Sequence, residues 1–215
     1  MSCHVSTLTQ SDAAKASNFT ARIFINGEAM SSTCQRDFEP YHKFFQAVVQ
    51  QSIAEKNGYV ARNEKEVVIA VLLAVDITAP EDNLGLEHCP KDILEVLGAT
   101  THLYQSKREE FLFEIMAHKF GTVLHVFMVA VDSKCSGKGI GTQVMRHALK
   151  DAKNRGYKVA IAECTCAAMQ HMFEGKLQFE RVGIVPYANY DAFQSIADTH
   201  DGAVVKKQLV DVIAA

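Results

Sequence analysis

The chain has no apolar run long enough to cross a bilayer. A spanning helix needs about 20 consecutive apolar residues, and the longest runs, 67–75 and 124–131, stop far short of that. No membrane partner is expected. Residues 1–21 lack a basic start followed by an apolar stretch, so the expectation is no secretory signal and a cytoplasmic location. Basic excess is missing too: the net charge is −3 and the pI is near 6.3, which argues against a nucleic-acid partner. Six cysteines (Cys3, Cys34, Cys89, Cys135, Cys164 and Cys166) form no disulfide framework and read as reduced thiols. Internal repeats, low-complexity tracts and long linkers are also lacking. At 215 residues and 48% hydrophobic, the chain is long enough for one core and calls for no second, so a single domain over 1–215 is expected. Oligomeric state is left undetermined.

What is present centres on Asp132-Ser-Lys-Cys-Ser-Gly-Lys-Gly-Ile-Gly-Thr-Gln143. A β-branched apolar run over 123–131 precedes it and a helical pattern from Gln143 follows. Strand, glycine-alternating turn and helix together present unpaired amide N–H groups to an anion. Gly137, Gly139 and Gly141 are expected to use backbone angles closed to other residues, and the helix adds orphan donors and the positive end of its dipole. Phosphate is the natural guest. A Walker loop needs Gly, four residues, then Gly-Lys-Ser/Thr, yet Gly139 follows Lys138 and Asp132 stands where the first glycine belongs. A dinucleotide fingerprint wants its third glycine at Thr142, although Glu163 sits where an acid at the end of the next strand would be.

A third pattern fits better. Ser136-Gly-Lys-Gly-Ile-Gly141 resembles the acetyl-CoA pyrophosphate loop of the GNAT superfamily of N-acyltransferases, Gln/Arg-x-x-Gly-x-Gly/Ala, with Ser136 in place of the usual first residue. Downstream, 143–155 is amphipathic with Gly156 as its stop, 158–164 reads as a buried strand, 165–174 as a short helix and 177–184 as a strand. The stretch 172–180, Met-Phe-Glu-Gly-Lys-Leu-Gln-Phe-Glu, is similar to the superfamily's Leu-Tyr-Glu-Lys-Leu-Gly-Phe-Glu segment with one residue inserted near Gly175. The acetyl-CoA-binding core thus covers 122–184. Upstream, the pattern suggests a strand over 3–8, a helix from Gln10 to about Ile23 opened by a Thr9–Asp12 capping box, a helix over 40–56 stopped at Asn57-Gly58, a hairpin of 59–62 with 67–76, a loop over 78–90 and a helical region over 91–119.

More narrowly, Phe24-Ile-Asn-Gly-Glu28-Ala-Met30 resembles the Phe-x-x-x-Glu-Pro-Leu segment of invertebrate arylalkylamine (dopamine-type) N-acetyltransferases, with Ala29 in place of proline. A long helical insertion before the CoA-binding strand and Tyr187-x-x-Tyr190 also occur in that family. The resemblance implies an α/β (α+β) fold: a mixed, mostly antiparallel central sheet flanked by helices and splayed at the CoA site. It implies acetyl-CoA as co-substrate, no metal, and direct transfer of acetyl to a small primary amine, first an arylalkylamine. In that reading Glu28 is the general base, the amide of Val129 or Ala130 stabilises the thioester oxygen, Val129 and Val131 bind pantetheine, and Ser136, Gly137, Lys138, Gly139, Ile140, Gly141 and Thr142 hold the pyrophosphate. Thr165 stands near the leaving thiolate as a poor acid, and Phe173 lies where many relatives carry a general-acid tyrosine. Two other readings stay open: acetylation of a protein or peptide amine, and a CoA-binding sensor or interaction module with little catalysis.

Remaining residues read more plainly. Cys164-x-Cys166 with His171 fits no common zinc spacing. Cys135, beside the loop, is a candidate for a lowered pKa. His102, His118 and His125 are expected to be surface or half-buried residues. Phe24, Tyr41, Phe44, Phe45, Tyr104 and Phe111 suit a core, with one or two available to line an acceptor pocket.

Overall fold

The computed structural model describes residues 3–27, 37–78, 89–91, 93–94, 121–189 and 201–209. Its elements are β1 (His4–Thr7), α1 (Ala13–Gly27), α2 (Phe38–Ala54), β2 (Tyr59–Arg62), β3 (Val68–Asp76), β4 (Val123–Val131), α3 (Ile140–Asn154), β5 (Val159–Cys164), α4 (Ala167–Gln170), β6 (Glu180–Val185) and β7 (Gly202–Gln208). The strands follow the order β1-β2-β3-β4-β5-β7-β6 in a seven-stranded, mostly antiparallel open sheet. The α/β class expected from the sequence is the one observed. By their contacts the residues gather into two compact units, Met1–Val75 with Glu81–Pro90 and Val126–Ala148, and Asp76–Pro80 with Lys91–His125 and Leu149–Ala215.

In the first unit β1 pairs antiparallel with β2, His4 facing Arg62 and Thr7 facing Tyr59. β2 then pairs with β3 through a register shift at Ala61/Arg62. The hairpin between them closes on Asn63, whose side-chain oxygen accepts from the amides of Lys65 at 2.9 Å and Val67 at 3.0 Å. This is the local turn chemistry asparagine offers. The capping box is real: Thr9 N–H donates to the Asp12 carboxylate at 3.0 Å, and a 3₁₀ turn over Gln10–Asp12 leads into α1. Asp12 also pairs with Arg62 of β2, tying the helix start to the strand.

Helix α2 ends differently from the expectation. The left-handed residue is Lys56, with φ +58°, while the amides of Asn57 and Gly58 both return to Ser52 O, at 2.8 and 3.0 Å. Gly58 is needed for room instead: a Cβ there would stand 2.8 Å from Leu8 Cδ1. Gly156 does stop α3 as expected, with φ +98°.

In the second unit β7 lies between β5 and β6, antiparallel to both, with Val159 facing Gln208 and Val185 facing Gly202. This strand lies outside the elements read from the sequence, although Gly202-Ala-Val-Val205 carries its β-branched residues. The region over 165–184 is also shifted. α4 continues into a π-helical segment, His171–Lys176, in which Leu177 N–H reaches Met172 O at 3.0 Å. An i→i+5 turn is how a helix absorbs one extra residue, and the insertion noted near Gly175 falls inside it. The strand that follows therefore starts at Glu180 rather than 177.

Most of the 91–119 region lies outside the described residues; its flanks are joined by Asp76. That buried carboxylate accepts from the amide and hydroxyl of Thr78, at 3.0 and 2.6 Å, and from the Gly121 amide, while Ile77 N–H donates to Val123 O. Replacing Asp76 with alanine orphans several donors at 3% exposure. Asp76→Ala is expected to destabilise by about 2–3 kcal/mol, read as a lowered urea midpoint at unchanged slope. An unshifted midpoint would remove the clasp from the account.

Candidate functional site

The loop after β4 has its own internal logic. Asp132 opens a 3₁₀ turn, accepting from the Lys134 amide at 2.9 Å, and Ser136 and Lys138 spend their amides on Ser133 O and Cys135 O. Gly137 and Gly139 then take φ +73° and +78°. No neighbouring atom lies within 4 Å of where a Cβ would sit on either, so the requirement for glycine there is conformational rather than steric. Gly141 differs from the expectation: it lies in the first turn of α3 with helical backbone and no positive φ, because the helix begins at Ile140 and not at Gln143.

The first helical bond is Gln143 N–H to Gly139 O, at 3.0 Å. Among the described residues no acceptor partners the amides of Gly137, Gly139, Ile140, Gly141 and Thr142. These are the orphan donors of a fifteen-residue helix joined to two left-handed glycines, and together they form a cradle for an anion. Ile140 anchors it from below, with its side chain buried. Ser136, Lys138 and both glycines are exposed, and Lys138 Nζ donates to Lys134 O at 2.7 Å, so this lysine is folded back on the loop. Cys135 is buried at 4% exposure, not a surface thiol.

Along β4, Val123 to Val126 are buried, Phe127, Met128 and Val129 are half-buried, Ala130 is buried and Val131 half-buried. Thr165, just after β5, is half-buried and its carbonyl accepts from the Tyr187 hydroxyl at 2.8 Å. Phe173 is fully buried and packs edge-on against Phe179 at 4.9 Å between centroids. It has no hydroxyl to offer. Glu28, Tyr104, Phe111, His102, His118 and Tyr190 lie outside the described residues. An aromatic row runs Tyr41–Phe24–Phe45–Phe44–Phe127 with centroid separations of 5.3–5.8 Å, and its half-buried members are Phe24 and Phe127.

His125 corrects the surface expectation. It is buried at 7% exposure, and its Nε2 lies 2.6 Å from Glu163 Oε2. Burial by itself would pull the imidazole pKa down, but the charge and hydrogen bond of Glu163 outweigh it and hold His125 above its ordinary value. Glu163, which the dinucleotide reading wanted for a ribose, is thereby engaged. Burial pushes the Cys164 thiol well above the normal range, with the charge of Glu163 adding to it, so Cys164 behaves as a small apolar side chain. Among the described residues no group of three His, Cys, Asp or Glu side chains could hold a metal, and no helix is long and apolar enough to cross a membrane.

The sequence model of the acetyltransferase (GNAT) family matches residues 28–179. The chain belongs to the GNAT acetyltransferase family. Solved GNAT-like structures agree on the fold at low identity. The C-terminal condensation domain of Ebony, in complex with beta-alanyl-dopamine, superposes with a TM-score of 0.78 at 14% identity, covering 97% of this chain and 99% of that one. Arylalkylamine N-acetyltransferase 2 from Aedes aegypti gives a TM-score of 0.73 at 14% identity over 98% and 100%. The NatC complex bound to Gag peptide and CoA gives 0.58 at 13% identity over 98% and 100%. As a GNAT protein the chain is an N-acetyltransferase enzyme, and acetyl-CoA is the donor this family uses.

The sign of the His125 effect follows from linkage. A histidine raised above its unfolded value, about 6.5, contributes stability that is complete below that value and fades as pH rises through the folded-state pKa. His125→Gln should therefore cost most near pH 6, on the order of 3 kcal/mol for breaking a buried pair, and progressively less towards pH 9. Urea midpoints of both proteins across that range test it; a gap that widens with pH would refute it.

Proposed function

We propose that this GNAT protein transfers the acetyl group of acetyl-CoA to a small primary amine, with arylalkylamines the leading class. The observation that carries the donor half is the set of amides, those of Gly137 and of Gly139 to Thr142, that find no acceptor among the described residues at the start of α3. Their number and sign suit a diphosphate, and the backbone itself does the binding, so Ser136 in place of a longer polar residue leaves the cradle intact. β4 leads straight into the loop. Main-chain groups of Val129 and Val131 would hold the pantetheine, and the amide at Val129 or Ala130 would stabilise the oxygen on which charge collects. The half-buried stretch Phe127–Val129 supports a ligand laid along this part of the strand, where the expected splay would place it.

The acceptor half rests on composition and likeness. Phe24 and Phe127, the half-buried members of a packed aromatic row, leave aromatic surface exposed, which favours an aryl ring over a polyamine. Ebony's domain holds beta-alanyl-dopamine and the mosquito neighbour is an arylalkylamine N-acetyltransferase, which supports the same class. An alkylammonium, with a pKa near ~10.4, must lose a proton before it attacks. Glu28 is assigned that task, directly or through water. Transfer is direct, in a ternary complex without an acyl-enzyme; the buried, high-pKa Cys164 and the buried Cys135 supply no ready nucleophile.

Calorimetry with acetyl-CoA, together with thiol release across tyramine, dopamine, serotonin, spermidine and a lysine peptide, tests both halves. Turnover is expected with the aromatic amines; acetyl-CoA binding without turnover of any amine would favour the binding-module reading, and turnover confined to the peptide would overturn the small-amine assignment. Gly139→Ala forces a side chain into left-handed backbone at a cost of roughly 1 kcal/mol or more, so about tenfold weaker acetyl-CoA binding is expected with the fold retained. Unchanged affinity would dismiss the cradle. Glu28→Gln should lower kcat by roughly 100-fold and flatten the acidic limb of the pH–rate profile; an untouched profile would exclude Glu28 as the base.

A further inference from the structure

The loop that forms the donor cradle carries side-chain hydroxyls to which the proposed transfer gives no chemistry. They belong to Ser133, Ser136 and Thr142. Thr142 is half-buried in the first turn of α3, whereas Ser133 and Ser136 are exposed. Ser136 immediately precedes the open amides, and among the described residues its hydroxyl has no hydrogen-bond partner.

A tight turn holds this serine in place. Lys138 N–H donates to Cys135 O at 3.3 Å, Ser136 has φ −60° and ψ 146°, and Gly137 follows with φ +73°. These angles suit a type II turn with Ser136 at its first corner. Cys135 before the turn and Ile140 after it are both buried, so the exposed residues between them form a short bridge over two anchors. A group attached to Ser136 therefore stays beside the amides of Gly137 and of Gly139 to Thr142, which find no acceptor among the described residues.

The charges around the two exposed serines differ. Lys134 and Lys138 flank Ser136 two residues away on either side, and both are exposed. Lys138 Nζ is bonded to a carbonyl, Lys134 O, so its charge is not neutralised by that contact. Ser133 instead follows Asp132, whose carboxylate accepts from the Lys134 amide at 2.9 Å. An accessible hydroxyl between two cations is what a kinase selective for basic sequences recognises, because such enzymes choose substrates by charge pattern.

We propose that Ser136 is a phosphorylation site whose phosphate shuts the donor cradle by occupying it. The inference rests on the acetyl-CoA reading above and concerns regulation of that same site. A serine kinase supplies the terminal phosphoryl group of a nucleoside triphosphate. The bond from Ser136 Oγ to phosphorus forms as the bond to the leaving nucleoside diphosphate breaks, and the hydroxyl proton goes to solvent. Nothing is oxidised or reduced. The product bears a charge of about −2 near neutral pH and three acceptor oxygens. Beside a helix start such a group makes charge-assisted hydrogen bonds to open amides. Being tethered to the loop, it competes with acetyl-CoA as an intramolecular ligand, and it repels the incoming diphosphate as well.

The test uses the full chain in three forms: unmodified, with phosphoserine installed genetically at Ser136, and with phosphoserine installed at Ser133. Calorimetry near pH 8 should find acetyl-CoA bound at least about tenfold more weakly by the Ser136 form than by the unmodified chain. That ratio should shrink near pH 5.5, roughly half a unit below the phosphate's second pKa of about 6, where it has largely become a monoanion. Phosphate at Ser133, a screened surface charge, should cost less than about threefold. Without acetyl-CoA, the amide proton resonances of Gly139 to Thr142 should move downfield in the Ser136 form alone. Incubating the unmodified chain with ATP and a panel of serine kinases selective for basic sequences should place phosphate on Ser136, located by mass spectrometry. No label at Ser136 from any of them would overturn the inference. Equal affinity in the Ser136 and unmodified forms, an equal loss in the Ser133 form, or unmoved amide resonances would each do the same. An unmodified chain that binds no acetyl-CoA would instead bring down the donor reading, and the inference with it.

Discussion

The rest of the site depends on two residues holding backbone that other side chains resist. Gly137 and Gly139 turn the chain through left-handed conformations and deliver it into α3 at Ile140, leaving a run of amides with no acceptor among the described residues. An amide without a partner is tolerable only where water or a ligand reaches it, and here the loop is exposed while Ile140 and Cys135 are buried beneath it. The cradle is therefore rigid below and open above. Its charge preference comes from peptide dipoles rather than from Lys138, whose ammonium is hydrogen-bonded within the loop. An anion would need no basic surface to be held there.

What the cradle is attached to decides its chemistry. β4 leads into it through a short 3₁₀ turn, and its main chain lies partly open at Phe127–Val129. The same strand packs Phe127 on Phe44 of α2. The half-open stretch and the aromatic surface of Phe127 thus share one strand, and their spacing is set by the rise of the pleat. The π-helical segment after α4 buries Phe173, which carries no hydroxyl.

Much of this was legible in the residue order because the signals are local. Glycine spacing, the β-branched run before it and the cations and Gly156 closing the next helix are properties of short windows, and they located the loop, β4 and α3 to within a few residues. The capping box at Thr9 and the Asn63 turn were readable for the same reason. Where the reading slipped, the deciding partner lay elsewhere in the chain. Gly58 looked like a helix stop, but its requirement is set by Leu8. The inserted residue near Gly175 was visible, yet its absorption as a wider turn, and the later start of β6, depend on Phe173 and Phe179 meeting in the core.

By itself the sequence determined the glycine-rich turn, the succession of strands and helices around it and membership in an N-acetyltransferase family, since these follow from backbone permissiveness and periodicity that act over a few residues. Tertiary structure alone decided that Gly141 is helical, that a strand from the far end of the chain inserts between β5 and β6, and that His125 and Glu163 meet. Those outcomes turn on which distant surfaces exclude water together, and a carboxylate beside a buried imidazole changes the chemistry of that imidazole in a way neither residue's neighbours in sequence announce.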